Sequence, residues 1–402
     1  MEPDTTPAFD RSPSGAGTVS ALARDIPPFI AMDFLERAQT LERAGRSILH
    51  LAAGEPDFET PRPIIDAAKR ALDLGQTHYT HSMGLPELRE EIALHYRRKY
   101  GVTVSPEQII VSSGTSPILI LVFMAICDPG DEIIISDPHY ACYPNAIRSA
   151  RGIPVKVRVT EENGFRFDLE DLRAALTPRT KAILVNSPSN PTGIVLRPDD
   201  LAAVAAVGPL VISDEIYHGL VYGEREHTIL EFTDRAVVIN GFSKAYAMTG
   251  WRLGYVILPK DLVRPVQKLQ QNLFICASSF GQRAAITALR EGEPFTRQMA
   301  AAYDERRRFI LSRLREIGLG VKVEPTGAFY VLANASHIHP NSYALASDIL
   351  ERVGVATTPG IDFGDGAEGY LRFSYATALP RIREAMDRLE AYVRDPAMRP
   401  GN

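Results

Sequence analysis

Seven short apolar runs alternate with longer segments of helical periodicity between residues 109 and 258. The runs are Ile109–Val111, Ile133–Ile135, Val155–Val159, Ala182–Val185, Leu210–Ile212, Val237–Ile239 and Tyr255–Leu258. Helix-length amphipathic patterns lie before and between them, for example at Leu85–Tyr100 and Asp168–Leu176. This alternation predicts strands joined by helices and therefore an α/β core, a mostly parallel seven-stranded sheet covered by helices.

The strand rhythm stops after residue 258. Two long amphipathic segments, residues 261–290 and 295–317, predict helices that link two domains. The rest of the chain predicts a smaller α+β domain, with strands at Val321–Val323, Ala328–Leu332 and Tyr370–Ser374 and helices at Ala344–Val353 and Pro380–Val393. A helix at Phe34–Ala44 and the run Ile48–Leu51 precede the main sheet, and we expect both to pack with this C-terminal unit.

These patterns predict four segments along the chain. Residues 1–28 are polar and turn-forming, and we expect them to be disordered. Residues 29–60 would form the N-terminal part of the small domain, residues 61–293 the large ligand-binding domain, and residues 294–402 the C-terminal small domain.

Composition and charge exclude several classes of protein. The 402 residues are 45% hydrophobic and 23% charged, as in ordinary globular proteins. The formal charge of −5 gives no overall attraction to nucleic acid or anionic membranes, so small molecules are the expected ligands. The three cysteines are far apart, and the apolar stretch Ile118–Cys127 is about half of a membrane span. We expect a cytoplasmic protein without disulfides, membrane or nucleic-acid partners.

Polar residues gather directly after three of the predicted strands. The Ala182 run continues into residues 186–193, the Leu210 run into residues 213–217, and the Val237 run into residues 240–244. Ligands of open parallel sheets bind at the carboxyl ends of the strands. One crevice could therefore hold the amide of Asn190, the carboxylate of Asp214, the phenol of Tyr217 and the amine of Lys244.

This set of groups matches the needs of pyridoxal phosphate. A buried Asp214 requires a cation, which a protonated pyridine nitrogen supplies, and Lys244 can condense with the aldehyde. Residues 112–117, between a predicted strand and helix, offer backbone N–H groups to the phosphate, and Arg252 lies eight residues beyond Lys244.

Five motifs in order carry a family resemblance. They are Gly54–Phe58 (GEPDF), Asn190–Gly193 (NPTG), Asp214–Tyr217 (DEIY), Ser243–Lys244 and Gly250–Arg252 (GWR). Together they resemble the class I/II aminotransferases of fold type I, which belong to the aspartate aminotransferase superfamily, and the match runs from about residue 30 to residue 393.

The resemblance implies a role for each matching residue. Lys244 would form the Schiff base and move protons in a ping-pong exchange between an L-amino acid and a 2-oxo acid, and Asp214 would hold the pyridinium. Asn190 and Tyr217 would bind the ring's phenolic oxygen, and Tyr140 would stack on the ring. The phosphate would be held by Gly114, Thr115, Ser116, Ser243 and Arg252.

Further positions concern the substrate and a partner subunit. Arg372 matches the family's arginine for the substrate α-carboxylate, assisted by Gly54 and Asn190. Tyr79 matches a tyrosine that reaches the phosphate of a neighbouring subunit, which implies a homodimer with shared sites.

Taken singly, these residues also permit ordinary structural roles. Asp214 could be a helix N-cap, Tyr140 and Tyr217 packing aromatics, Arg372 half of a surface ion pair, and Tyr79 purely structural. Residues 364–369 fit the G-x-G-x-x-G pattern, yet a strand rather than a helix follows, so we interpret them as a turn. We predict no metal site.

The cofactor motifs leave the reaction and the substrate open. C–S lyases, decarboxylases and related eliminating enzymes share this fold, and an aminotransferase-like effector sensor is a more distant alternative. In the aspartate-specific subgroup a lysine near the phosphate loop binds the side-chain carboxylate, and Ser116 stands at that position here. Phe29, Ile30 and Tyr140, if they line the pocket, would favour an apolar or aromatic side chain.

Overall fold

The computed structural model describes residues 18–395, and the first 17 residues of the predicted disordered segment lie outside this range. The helices are α1 (Ala21–Asp25), α2 (Ile30–Arg43), α3 (Arg62–Asp73), α4 (Pro86–Tyr100), α5 (Thr115–Ile126), α6 (Tyr143–Ser149), α7 (Leu169–Ala174), α8 (Pro198–Ala205), α9 (Lys260–Leu273), α10 (Ser279–Glu291), α11 (Glu293–Ile317), α12 (Ser342–Val353) and α13 (Leu379–Arg394). Thus α1 occupies part of the segment that the sequence predicts to be disordered.

The strands form three sheets. They are β1 (Leu49–His50), β2 (Ile109–Ser112), β3 (Glu132–Asp137), β4 (Ile153–Arg158), β5 (Thr180–Asn186), β6 (Leu210–Asp214), β7 (Ala236–Gly241), β8 (Gly254–Ile257), β9 (Tyr330–Asn334), β10 (Val355–Ala356), β11 (Thr358–Pro359) and β12 (Tyr370–Ser374). The seven predicted runs form one sheet in the order β2-β8-β7-β6-β5-β3-β4, in which β8 alone runs antiparallel to its neighbours. The predicted fold is confirmed.

Both faces of this sheet are buried. Side chains alternate between the two faces along each strand. Ile109 and Val111 pack into one apolar cluster, whereas Ile110 packs into the other. Helices on either face complete the two clusters, as the apolar character of the runs predicts. The parallel strands β5, β6 and β7 are neighbours, so their carboxyl ends lie side by side.

A second unit contains the remaining strands. The β11-β12-β9 sheet is antiparallel, and β1 pairs in parallel with β10, which brings the N-terminal segment to the C-terminal part of the chain. α11 spans the two units: Thr296 donates a hydrogen bond to the Ala245 carbonyl in the large unit (2.6 Å), and the last turns bury Leu311 and Leu314 in a separate apolar cluster of the small unit.

Two local predictions are wrong. Residues 261–290 form two helices rather than one, because Ile275 adopts a positive φ of 66° and Ser278 caps a new helix by accepting a hydrogen bond from the Gly281 N–H. Val321–Val323 is not a strand. Gly320, just before this segment, forms an isolated bridge with Asn334, and the Lys322 side chain forms an ion pair with Glu162.

Candidate active site

The ends of β5, β6 and β7 open into a cavity of about 450 Å³. Asp214 ends β6, Lys244 follows β7, and Asn190 follows β5. The small unit closes the opposite side with Tyr330 and Arg372. The predicted residues that line this cavity are Gly54, Thr115, Ser116, Tyr140, Asn190, Asp214, Tyr217, Ser243, Lys244, Arg252 and Arg372.

Asp214 is a buried carboxylate with few partners. It is 5% exposed, accepts a hydrogen bond from the Tyr143 hydroxyl (2.7 Å) and another from the Ile216 N–H (3.2 Å). Burial raises the pKa of Asp214 to about 6, and the two hydrogen bonds only partly offset this effect. A cation bound in the cavity would favour the ionised form of Asp214. A protonated ring nitrogen that faces this carboxylate would be such a cation.

Lys244 lies where it can act as a nucleophile. Its Nζ donates a hydrogen bond to the Gly54 carbonyl at 2.5 Å. Burial lowers the pKa of Lys244 to about 8, and the nearby carboxylate of Glu55 partly opposes this shift. A larger fraction of the amine is therefore unprotonated near neutral pH than in an exposed lysine, as condensation with an aldehyde requires.

The start of α5 and Arg252 form a cradle for an anion. Gly114, just before α5, has a φ of 103°, and a Cβ placed there would lie 2.7 Å from Arg252 Nη2. The guanidinium can therefore approach the backbone only because residue 114 is glycine. Thr115, Ser116 and Ser243 line the cavity beside this helix start, whose N–H groups favour a phosphate.

Three tyrosines and Asn190 line the cavity between these groups. The Tyr217 hydroxyl forms a 2.9 Å hydrogen bond with the Tyr330 hydroxyl. Asn190 donates its backbone N–H to Asn186 Oδ1 (2.8 Å). The Tyr140 ring meets the Phe29 ring edge-on, at a centroid distance of 6.0 Å. These contacts fix polar groups and a ring around the space that a planar ligand would occupy.

Arg372 is 2% exposed and is held between two aromatic rings. Its guanidinium carbon lies 4.4 Å from the centroid of Tyr330 and 4.7 Å from that of Phe363. Nη1 donates to Asn190 Oδ1 (2.8 Å) and Nη2 to the Ala52 carbonyl (2.7 Å), whereas the buried Nε has no partner among the described residues. A buried cation with a free donor, and with no ion pair within residues 18–395, is suited to a carboxylate ligand.

Replacing Arg372 with alanine should therefore raise KM for every amino acid by a similar factor, roughly 10- to 100-fold, the value of a charge-assisted hydrogen bond. The side chain of the amino acid should not matter, because the α-carboxylate is common to all of them. Steady-state kinetics on several donors measures this effect. The exposed Arg383, replaced in the same way, is the control. A KM increase confined to some side chains would contradict the assignment.

Three predicted residues lie outside the lining of the cavity. Gly114 lies behind the lining, where its lack of a side chain leaves room for the Arg252 guanidinium. Tyr79 is 82% exposed and contributes nothing to the cavity of its own chain. Ile30 packs against the apolar cluster of the small unit, whereas Phe29 does line the cavity. The expectation that Ile30 lines the substrate pocket is therefore wrong.

Several residues that line the cavity are not among those predicted from the sequence. Tyr143, which binds Asp214, follows Tyr140 at the start of α6, and Tyr330 reaches Tyr217 from a strand more than a hundred residues away. Ala31, Met32 and Leu35 of α2 form an apolar wall beside Phe29. The helical periodicity of α2 could have indicated this wall, because residues 31, 32 and 35 share one helix face.

A larger cavity of about 860 Å³ lies between α4 and α11, and none of the predicted site residues lines it. Four of its charged residues form two ion pairs with one another, Lys99 with Glu226 and Arg297 with Glu293. Within residues 18–395 no group of His, Cys, Asp and Glu side chains is arranged to hold a metal ion. Over the same range, no helix has both the length and the apolar character needed to cross a membrane.

Comparisons with known proteins point to one family. Residues 46–389 match the family model for aminotransferases of class I and II. The chain is 42% identical to the (5-formylfuran-3-yl)methyl phosphate transaminase of Methanocaldococcus jannaschii, over 91% of this chain and 96% of that protein. It is 41% identical to the aspartate/prephenate aminotransferase of Thermus thermophilus, over 88% and 92%.

Solved structures give the same result. The aspartate aminotransferase of Thermus thermophilus with maleate superposes with a TM-score of 0.90 at 38% identity, covering 94% of this chain and all of that one. A protein of Methanococcus jannaschii whose active site is similar to those of kynurenine aminotransferases superposes with a TM-score of 0.88 at 40% identity, with coverage of 94% and 100%.

Proposed function

The chain belongs to the class I and II aminotransferases, and from this premise we propose that it uses pyridoxal phosphate held by Lys244 to transaminate neutral amino acids with apolar or aromatic side chains. The predicted aminotransferase activity, transfer of an amino group between an amino acid and a 2-oxo acid, is confirmed by the family and by relatives that are transaminases. The cofactor, the roles of individual residues and the substrate class are the proposal.

The residues present fit pyridoxal phosphate. The cavity offers a buried carboxylate at Asp214 that forms no ion pair with another described residue, an amine of lowered pKa at Lys244, and an anion cradle at Gly114 and Arg252. When bound, this cofactor supplies an aldehyde for the substrate amine and a conjugated ring that accepts electrons from the substrate α-carbon.

Three side chains of the cavity would then have separate roles toward the cofactor and the substrate. Lys244 would hold the cofactor and, once displaced by the substrate amine, move a proton at the substrate α-carbon. Asp214, oriented by Tyr143, would keep the ring nitrogen protonated. Arg372 would orient the substrate through its α-carboxylate, which fixes the α-carbon beside Lys244.

The cations of the cavity carry the proposal on substrate class. Among the described residues that line it, the cationic side chains are Lys244, Arg252 and Arg372. These three are assigned to the aldehyde, the phosphate and the α-carboxylate, so this subunit's own lining offers no further cation to an acidic side chain. The remaining space is bounded by Phe29, Met32 and Leu35, whose apolar surfaces favour an apolar or aromatic group.

The substrate proposal is tested by comparing kcat/KM for phenylalanine, leucine and aspartate in the wild type and in Ser116→Lys. Ser116 lines the cavity, and a lysine there would restore a cation for a side-chain carboxylate. We expect the wild type to prefer the two apolar donors, and the variant to gain roughly tenfold or more on aspartate.

Ser116→Met is the matched control, because it adds length without charge and should leave aspartate a poor donor. A wild type that prefers aspartate to both apolar amino acids would contradict the proposed substrate class. It would leave the aminotransferase activity itself untouched.

We also propose a homodimer, and an exposed apolar surface supports it. Tyr79 is 82% exposed, and Leu74, Leu273 and Ile275 are also exposed. The two segments that carry them are adjacent, since the Ser279 hydroxyl donates to the Gln76 carbonyl (2.8 Å). An apolar surface around an exposed tyrosine fits the family-implied role of Tyr79, which would reach the phosphate site of a second copy.

A further inference from the structure

The apolar wall of the cavity is formed by the first turns of α2. No side chain at the N-cap position of α2 caps this helix. α2 begins at Ile30, and its N-cap residue, Phe29, offers no side-chain acceptor. The first N–H groups of a helix require acceptors from elsewhere. In α2 these groups belong to the turn that presents Ala31 and Met32 to the cavity.

Asp362 supplies the missing acceptors from the other end of the chain. Its Oδ1 accepts a hydrogen bond from the Ile30 N–H at 3.0 Å, and its Oδ2 accepts one from the Ala31 N–H at 3.1 Å. Both oxygens of one carboxylate therefore bind the positive end of α2, an arrangement that the helix dipole favours.

The backbone on either side of Asp362 is fixed to other elements. The Ile361 N–H donates to Ser342 Oγ at the start of α12 (3.1 Å), and the Phe363 carbonyl accepts from the His139 N–H (2.9 Å). Gly360 leaves no room for a side chain, because a Cβ there would overlap the Ala367 carbonyl. The carboxylate is thus a fixed point rather than a flexible surface group.

The same loop contacts two other walls of the site. The Phe363 ring packs under the Arg372 guanidinium, and His139 precedes Tyr140. Phe29, at the start of α2, contacts the Tyr140 ring. Asp362 therefore connects the apolar wall to two other segments. One carries Arg372, which is predicted to bind the substrate carboxylate, and the other carries Tyr140, which is predicted to stack on the cofactor ring.

Within residues 18–395, the hydrogen bonds of the Asp362 carboxylate are the two from the start of α2. Asp362 is 9% exposed, and burial raises its pKa to about 6, although the two N–H groups and Arg372 favour its charge. Placing an acid in such a position costs free energy, which an asparagine or serine cap on α2 itself would avoid.

We propose that Asp362 is a positioning residue for substrate selectivity, which holds the first turn of α2 so that Phe29, Met32 and Leu35 form the pocket for the substrate side chain. This inference rests on the proposed function of the cavity. It assigns no contact between Asp362 and the substrate. The effect of Asp362 is on amino acids whose side chains are long enough to reach the wall.

The test compares cofactor-loaded wild type, Asp362→Ala and Asp362→Asn on phenylalanine and alanine as donors. We expect Asp362→Ala to raise KM for phenylalanine roughly five- to tenfold, with a change below about twofold for alanine and little change in kcat. Asp362→Asn keeps one acceptor and should fall between the wild type and Asp362→Ala. Asp365→Asn is the matched control, since Asp365 lies in the same loop with a mostly exposed side chain paired to Lys156.

A fall in kcat/KM of equal size for both donors, or no change for either, would overturn the proposal, because a purely structural role affects all substrates alike. Hydrogen exchange provides a readout that does not depend on the donor. The amides of residues 30–35 should exchange faster in Asp362→Ala than in the wild type and the control. If phenylalanine is not a donor at all, the proposed substrate class fails, while unchanged exchange in these amides would reject the role of Asp362 itself.

Discussion

Replacing Lys244 with alanine is expected to abolish transamination, with a loss of at least about 10⁴-fold in kcat, because the variant lacks both the covalent attachment and the base at the substrate α-carbon. The visible absorbance of lysine-bound pyridoxal phosphate should be absent even when the cofactor is present in excess. In the wild type, capture of added cofactor should become faster as the pH rises toward 8, because the pKa of Lys244 is lowered to about 8 and the unprotonated amine reacts.

Lys260→Ala is the control for this experiment, since Lys260 is exposed at the start of α9. It should retain activity, absorbance and the pH dependence of capture. Borohydride reduction of the loaded wild type, followed by peptide mapping, should place the cofactor on Lys244. Recovery of the reduced cofactor on another lysine would reject the assignment.

Replacing Asp214 with asparagine is expected to lower kcat by roughly 10²–10³-fold or more, because the charge that keeps the ring nitrogen protonated is removed from a buried site. The neutral asparagine has nearly the same shape, so packing around β6 should be preserved. Tyr143→Phe removes one hydrogen bond to the same carboxylate and should cause a smaller loss. Steady-state kinetics and cofactor titration measure both effects.

Asp199→Asn, at an exposed position near the start of α8, is the matched control for Asp214→Asn and should behave as the wild type. If Asp214→Asn keeps full turnover, the carboxylate has no electronic role. If Asp214→Asn loses activity and also melts at a much lower temperature than the wild type, the loss is structural. The melting temperatures of the variant and the wild type therefore distinguish a structural loss from an electronic one.

The sheet and the groups at its strand ends could be predicted because both depend on local sequence. Each buried strand is a short apolar run, and Asp214 and Lys244 come at or just after the end of such a run. Neighbouring parallel strands bring their ends together, so side chains separated by 30 residues in the sequence line one cavity.

Contacts between distant segments could not be predicted in this way. Nothing local indicates that Tyr330 pairs with Tyr217, or that Asp362 caps a helix 332 residues away. The break at residues 274–278 follows from the backbone of Ile275 and from the cap at Ser278, and the apolar periodicity of residues 261–290 does not reveal it. Ile30 does not line the cavity, whereas its neighbour Ala31 does. Successive side chains of a helix point about 100° apart, so a shift of one residue changes the face on which a side chain lies.

A half-reaction tests most directly whether this aminotransferase acts on neutral apolar or aromatic amino acids through Lys244. The purified, cofactor-loaded protein is mixed with single amino acids without any oxo acid, and the products are identified by mass spectrometry while the absorbance is followed. We predict one equivalent of oxo acid per site from phenylalanine or leucine, no reaction with Lys244→Ala, and little product from aspartate. Continuous release of ammonia, carbon dioxide or a thiol, or reaction with aspartate alone, would contradict the claim.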